Sequence, residues 1–477
     1  MTVLLNDIHA RLNPTEVHEV VTPTTEGEVV QAVRRAADQG LAISLCGGRH
    51  AMGGQQFGAG NLQLDLSRLD GVGPVDVDRV PADGDRVPAD GDHVVVRAGA
   101  GVQWPQLAAA LATSPLTFRQ KQTGADRLSL GGALSANVHG RGLQFPPFVS
   151  DVERFRLVDA SGAVQVCSRT ENAELFGRAI GGYGLFGVVT EVELRLVKRH
   201  KLRRVVEIAA LDEVEASFDA RLSQGFTYGD FQFMTDPTAP GFLNRGVLSA
   251  YLPVDDDAPV TASPTELSAE QWQQLLALAH DDKGRAFELY AGHYLATHGQ
   301  VYLSDLHQMG VYVDGYHERM GGPDRGQGGA EASEMITEVY VPREQLTGFM
   351  RACREDFRAH QVEFIYGTIR VIEPDTETAL PWAQGNRACV IFNLHVRHDP
   401  AGVAKAAADF RRIIDRALER GGSFFLTYHR WATAEQVRAA HPRFVEFLQA
   451  KRRFDPDERF ASDWYRHWKA LFADAVG

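Results

Sequence analysis

The sequence predicts an α+β protein of two domains, and three observations carry that reading. At 477 residues, 44% hydrophobic and 23% charged, the chain is longer than a single hydrophobic core ordinarily organises. Its first two hundred residues hold two glycine-rich segments, the first of them directly behind an apolar strand. From Val205 onward, alternating apolar and polar stretches interleave with helical periodicities, the pattern of an antiparallel sheet covered by helices.

In order along the chain, Glu26 to Ala37 carries apolar residues at helical intervals, and Leu41 to Leu45 is a short buried strand running into L-C-G-G-R-H-A-M-G-G-Q at Leu45 to Gln55. Asn61 to Leu66 alternates as a strand. Val80 to Arg86 and Val87 to His93 are tandem copies of V-P-A-D-G-D, whose composition builds no core and predicts a solvated excursion. Its six aspartates, Asp76 to Asp92, lack the spacing and terminal Glu of a calcium loop, so no metal is expected there. Val94 to Gly101 is a strand and turn, and Gln103 to Ala112 a helix. The second glycine-rich segment, L-G-G-A-L-S-A-N-V-H-G-R-G, spans Leu130 to Gly142. Phe155 to Asp159 and Val164 to Ser168 form a hairpin, and Val188 to Val197 is a strand.

Beyond Val205, strands are expected at Glu338 to Val341, Glu363 to Val371 and Ala388 to Val396. Helices are expected at Ala269 to Ala279, Arg343 to His360 and Pro400 to Arg420. Met320 to Ser333, with five glycines and a proline, reads as a loop able to act as a lid. After Gln436 the tail is helical. The expected division is therefore 1–204, 205–435 and a tail, 436–477.

The two glycine-rich segments, with Pro23-Thr24-Thr25, Val94 to Gly101 and Ile180 to Thr190, resemble in order and spacing the FAD-binding domain of the vanillyl-alcohol oxidase superfamily, the PCMH-type FAD-linked oxidoreductases. The resemblance covers roughly residues 20 to 200. It implies a PCMH-type FAD-binding domain, an α+β substrate domain capping it, and a tail that returns to the FAD domain. It also implies that Gly47, Gly48, Arg49, Ala51 and Met52 offer backbone donors to the FAD pyrophosphate, where unpaired N–H groups offset negative charge. Gly131, Gly132, Ser135 and Asn137 resemble the second wall, and Gly187 and Val189 the adenine or ribose side. His50 stands where many members attach the flavin covalently through its 8α-methyl carbon. Doubly linked members need a cysteine in the second segment, and Leu130 to Phe148 has none.

His139, in N-x-H-G, resembles a histidine beside the flavin ring in sugar-oxidising members such as the decaprenylphosphoryl-ribose oxidases. Tyr366 to Arg370 and Phe392 to His395 resemble two strands that carry an arginine and a lysine at the flavin edge in polyol and sugar oxidases. Arg370 keeps the arginine, His395 stands at the lysine position, and Thr368 replaces a glutamate. Alcohol oxidation needs a carbon held about 3.5 Å from the hydride acceptor, a base for the hydroxyl proton and a cation for the growing negative charge. His395 is the candidate base, because imidazole titrates near working pH. Arg370 is the candidate cation or clamp. Tyr428, His429, Arg430 and Tyr465 are further polar candidates without assigned roles.

The implied activity is oxidation of a CH–OH group of a sugar, polyol, hydroxy acid or similar polar metabolite, with dioxygen or another acceptor reoxidising FAD. The alternative is oxidation of a C–N or allylic C–C position, as in cytokinin dehydrogenases and berberine bridge enzymes. A net charge of −13 argues against nucleic acid or anionic membrane as partner. No apolar run approaches the roughly 20 residues of a membrane helix and no export signal opens the chain, so a cytoplasmic location is expected. Cys46, Cys167, Cys353 and Cys389 show no paired spacing, which predicts neither a zinc site nor a disulfide framework.

Overall fold

The computed structural model describes residues 2–75, 94–310 and 331–476. The tandem V-P-A-D-G-D repeat, its aspartates, and the expected lid as far as Ala330 lie outside the described residues.

Strands β1 (Val3–Leu5) and β2 (Thr15–Val17) pair antiparallel, and β3 (Glu19–Val21), β4 (Ile43–Cys46) and β5 (Leu62–Asp65) form a parallel sheet in the order β3-β5-β4. A second sheet runs β6-β10-β8-β9 from β6 (Val95–Gly99), β8 (Val152–Val158), β9 (Val164–Ser168) and β10 (Val188–Lys198), with β7 (Leu116–Phe118) also on β10. The third is an antiparallel sheet of eight strands. It comprises β11 (Lys201–Ala210), β12 (Tyr228–Phe233), β13 (Arg245–Val254), β14 (Val301–Leu303), β15 (Ala332–Pro342), β16 (Phe364–Ile372), β17 (Arg387–Arg397) and β18 (Ser423–Phe424). Its order is β14-β11-β13-β12-β16-β17-β15-β18. The protein is thus α+β. The change of sheet falls between Lys198 and Lys201, so the expected change of character at Val205 lies inside β11.

Helix α1 (Glu26–Asp38) shows how the sequence makes an element. Thr25 accepts the amide of Glu28 at 3.2 Å, and Glu26 and Glu28 favour the helix N-terminus. Val29, Ala32, Val33 and Ala36 fall on one buried face, and the chain leaves through Gly40 at φ 66°. Val29 and Val33 contribute roughly 1.5–3 kcal/mol each by burial, and Val33→Asp would undo the packing.

Further helices are α2 (Trp104–Ala110), α3 (Leu130–Ala136), α4 (Ala173–Ala179), α5 (Leu211–Ser223), α6 (Ala269–Asp281), α7 (Lys283–Ala296), α8 (Leu346–His360) and α9 (Pro400–Leu418). The tail forms α10 (Ala434–Ala440), α11 (Phe444–Phe454) and α12 (Asp463–Leu471). It lies against the first sheets. Phe460 bridges Ile43 in parallel on the free edge of β4, Phe447 meets Phe186, and Trp464 meets Tyr183.

Candidate active site

The two glycine-rich segments meet. A Cβ on Gly47 would lie 2.2 Å from Ser129 Oγ, and one on Gly48 would lie 2.2 Å from the Arg127 carbonyl oxygen, so glycine is what permits the approach. Gly131 packs less tightly on Ala100, where an added Cβ would lie 2.9 Å from the Ala100 Cβ. Ser129 accepts the Gly132 amide and caps α3, which turns the first half of the second segment into helix rather than open turn. Between the segments lies a cavity of about 1090 Å³, counting the space open to solvent at its mouth.

Gly47, Gly48, Arg49, His50, Ala51, Met52, Gly131, Gly132, Ser135, Gly187 and Val189 all line this cavity. Asn137 does not. It is the left-handed cap of α3 at φ 49°, and its side chain donates to Asp375 at 3.0 Å and accepts the Val149 amide at 2.9 Å. Its position is explained by capping and by a tie to the segment after β16.

His50 is held from a side that its own segment does not reveal. His9 Nε2 lies 2.8 Å from His50 Nδ1, and His9 lines the cavity too. Asp7 accepts the amides of His9 and Arg11, while Asn13 donates to Asp7 and to the Met52 carbonyl. The N-terminal hook is thereby fastened to the turn it serves. His50 Nε2 is buried without a hydrogen bond of ordinary geometry, although the Arg127 carbonyl is close enough to favour a proton there. Burial, then His9, hold the ring well below the ordinary histidine range, so His50 is neutral.

A second cavity, about 1520 Å³ on the same measure, adjoins the first. Both are lined by His9, Met52, Gln122, Ala125, Ile336 and Tyr428. Its sheet wall follows from strand alternation. Tyr366, Thr368 and Arg370 of β16 share parity, as do Cys389, Ile391, Asn393 and His395 of β17 and Glu334, Ile336, Glu338 and Tyr340 of β15. In register, Arg370 faces Cys389, which faces Tyr340.

Arg370 lines the second cavity at 3% exposure, and its Nε and Nη1 are buried without hydrogen-bond partners. Burial opposes its charge, yet Tyr366, Cys389, Asp230 and Glu338 together raise its pKa above the ordinary value, so the guanidinium stays charged. A charged, unpartnered buried group is expensive unless something else satisfies it. Thr368, in place of the glutamate, donates to the Phe231 carbonyl at 3.3 Å and is a strand residue.

His395 does not itself line either cavity, whereas its face-mates Asn393 and Ile391 line the second. Its Nδ1 lies 2.8 Å from Glu334, which does line the cavity, and His280 on α6 approaches the same carboxylate at 3.6 Å.

His139 also stands behind the wall. Nδ1 faces the Gly140 carbonyl at 2.9 Å and Nε2 faces Glu338 at 2.8 Å, so both nitrogens meet oxygen acceptors. Glu338 is fully enclosed and also accepts the hydroxyls of Tyr340 and Tyr428. Burial would raise its pKa, but His139 and the hydroxyl donors outweigh it and hold the carboxyl below the ordinary range. Through Tyr428 this buried group touches the surface shared by both cavities. Sequence reasoning missed His9 and Glu338. An acidic residue inside the apolar run from Met335 to Val341 was the available signal for the latter.

The remaining candidates lie apart from both cavities. His429 stacks on Trp431 at 3.8 Å, Arg430 donates to the Gly53 carbonyl, and Tyr465 donates to Glu458. All four cysteines are buried and free. Among the described residues no helix is long and apolar enough to cross a membrane.

Residues 17–168 match the family described as FAD binding domain. Over almost its whole length the chain is similar to decaprenylphosphoryl-beta-D-ribose oxidase of Mycolicibacterium smegmatis, at 23% identity over 473 residues, which is 97% of this chain and 96% of the relative. It is similar on the same scale to L-gulono-1,4-lactone dehydrogenase of Mycobacterium tuberculosis, at 24% identity over 456 residues, 94% of this chain and 95% of the relative. Cytokinin dehydrogenase 10 of Oryza sativa subsp. japonica is 28% identical over 229 residues, 46% of this chain and 40% of the relative.

Proposed function

Because the chain belongs to the PCMH-type FAD-linked oxidoreductases and is an FAD-linked enzyme, we propose that it oxidises a CH–OH group of a small-molecule substrate held in the second cavity. In this reading residues 1–204 bind FAD, 205–435 cap it and 436–477 return to the FAD domain. The glycine cradle fits a dinucleotide: its loops pack too closely on each other to admit a Cβ at Gly47 or Gly48, they line a cavity of about 1090 Å³, and a neutral imidazole stands at its wall with one nitrogen lacking a regular partner. Gly47, Gly48, Arg49, Ala51, Met52, Gly131, Gly132 and Ser135 would hold the pyrophosphate and ring system, with Gly187 and Val189 on the adenine side. His50 would be the point of a single covalent attachment. Bound FAD supplies a two-electron acceptor that dioxygen or another oxidant regenerates.

The chain's own groups do the rest. Arg370 clamps the substrate oxygen and steadies negative charge, supported by its buried, unpartnered guanidinium. Asn393 orients the hydroxyl. Its proton passes to the Glu334–His395 pair, whose carboxylate faces the cavity and whose imidazole lies directly behind. His139 is a positioning residue, fixing Tyr428 through Glu338.

The observation that carries the reading is the meeting of the glycine cradle with a cavity floored by Arg370. The test is anaerobic bleaching of the purified yellow protein by a panel of sugars, polyols, lactones and hydroxy acids. Bleaching by amines or allylic compounds alone would favour oxidation of a C–N or C–C bond, a reading supported by the cytokinin dehydrogenase similarity and by the apolar part of the second cavity. Acid precipitation tests the attachment: flavin fluorescence stays with the polypeptide in the wild type and leaves it in His50→Ala.

A further inference from the structure

Three metal-ligating side chains converge beside the second cavity. Glu334 of β15 stands directly opposite His395 of β17 in the antiparallel register, so the two leave the same face of the sheet as neighbours. His280, in the last turn of α6, reaches them there, its ring centred 5.0 Å from the His395 ring at an interplanar angle of 77°.

One carboxylate oxygen meets both imidazoles. Glu334 Oε1 lies 2.8 Å from His395 Nδ1 and 3.6 Å from His280 Nε2. The shorter contact is a hydrogen bond, whereas the longer one exceeds hydrogen-bond range. A tetrahedral Zn²⁺ with ligands at about 2.0–2.2 Å holds neighbouring ligand atoms about 3.3–3.5 Å apart, which falls between those two separations. The three ligand atoms all lie within 4.8 Å of one another, so adjustments of side chains alone would close the set. A different trio, His139, Glu338 and Cys389, is fully buried, and the hydroxyls of Tyr340 and Tyr428 already occupy its carboxylate.

Access and charge distinguish the first trio. The His280 and His395 side chains keep 18% and 12% exposure, and Glu334 lines the second cavity together with Ala279, the neighbour of His280. Lys283 is close enough to feel Glu334, but its ammonium donates to the Ala279 and Phe364 carbonyls at 2.8 and 2.7 Å. Asp281 and Glu363 add negative charge nearby. Two imidazoles with one carboxylate suit a borderline dication such as Zn²⁺, whereas Mg²⁺ and Ca²⁺ prefer oxygen ligands throughout.

We propose that His280, Glu334 and His395 form a binding site for Zn²⁺ or a similar dication, and that its occupancy restrains the enzyme. Binding stands on the geometry of the three side chains; the restraint rests on the reading that the Glu334–His395 pair accepts the substrate's hydroxyl proton. As Zn–O and Zn–N bonds form, the ion takes the lone pairs that would receive that proton, and any proton held between the two groups leaves to solvent.

The test dialyses the tag-free, FAD-loaded protein against buffered Zn²⁺ and counts bound zinc by mass spectrometry. Because the chain has 17 histidines, variants assign the site. His280→Ala and Glu334→Gln should each weaken binding by about 100-fold or more, whereas His360→Ala, at the exposed end of α8, keeps it; an unchanged flavin spectrum and melting temperature certify each variant. Absorption at the zinc X-ray edge should show two imidazole ligands. Saturating zinc should slow anaerobic flavin reduction by an alcohol about 10²-fold or more in the parent and leave His280→Ala at its own zinc-free rate. Equal affinity in His280→Ala, no bound zinc, or oxygen ligands alone overturns the site. Binding that leaves reduction unslowed overturns the restraint, and with it Glu334–His395 as proton acceptor, while the site stands. Failure of every alcohol to reduce the zinc-free protein removes CH–OH oxidation instead and leaves zinc binding as it was.

Discussion

Gly48→Ala places a Cβ 2.2 Å from the Arg127 carbonyl oxygen and 2.9 Å from His50 Cδ2, where ordinary contact begins near 3.4 Å. The oxygen belongs to backbone, so relief requires the Lys121–Arg127 loop to retreat by about 1.2 Å from the glycine turn. Overpacking of this kind costs about 1–3 kcal/mol. If the cost falls on the assembled cradle, FAD binding weakens about 5- to 150-fold at 1.36 kcal/mol per decade. The measurement is best made in a His50→Ala background, where the cofactor exchanges freely: apoprotein is titrated with FAD and quenching of flavin fluorescence gives Kd. Gly385→Ala, whose Cβ meets nothing within 4 Å, is the control and should match the parent. Gly47→Ala meets Ser129 Oγ at 2.2 Å and Ser129 Cβ at 3.0 Å, and turning the hydroxyl away forfeits its cap on the Gly132 amide, so it too should weaken FAD binding. Unchanged Kd and melting temperature in Gly48→Ala would refute the claim that these loops form the cofactor cradle.

Arg370→Met should slow anaerobic flavin reduction by about 10²- to 10³-fold while leaving the melting temperature nearly unaltered, since the guanidinium lacks structural hydrogen bonds; stopped-flow bleaching at parental rate would exclude the clamp. Glu338→Gln leaves His139 facing no carboxylate inside the protein and should cost about 3–5 kcal/mol in denaturant unfolding, part of it recovered by adding His139→Gln. His441, which contacts the Phe424 carbonyl at 2.9 Å, is pushed down by burial from 6.5 to about 4. The folded ring takes its proton less readily than the unfolded one. Its stabilisation is therefore complete above pH 6.5 and shrinks by about 1.4 kcal/mol per unit, about 3 kcal/mol in all, as pH falls to 4. Melting temperature against pH should show a shallower acid limb in His441→Gln.

What the sequence disclosed was local. Helix α1, strands β4 and β5, the β8–β9 hairpin and the glycine turns each depend on neighbours within a few residues, so periodicity and turn chemistry sufficed. That Asn137 caps α3 outside the cavity lining was not legible, because a left-handed cap and a ligand-facing loop use the same residue type. His9 and Glu338 escaped notice because their partners lie 41 and 199 residues away. The face of β17 was legible from alternation, but not that Asn393 reaches the cavity while His395 leans on Glu334.

Phe460 and its flanking amides close the edge of β4 through Ile43, with Ile43 donating to the Arg459 carbonyl at 2.6 Å and Ala461 donating back at 3.0 Å. During synthesis, β4 must wait while the intervening chain emerges, a delay of roughly 20 to 80 s at typical elongation rates. Throughout that interval the bare rim of the parallel sheet is a template for adventitious strand pairing. Nascent chains whose segment around Phe460 has not yet emerged should therefore depend on chaperones more than chains in which it has docked on β4, and that docking is the event that seals the sheet.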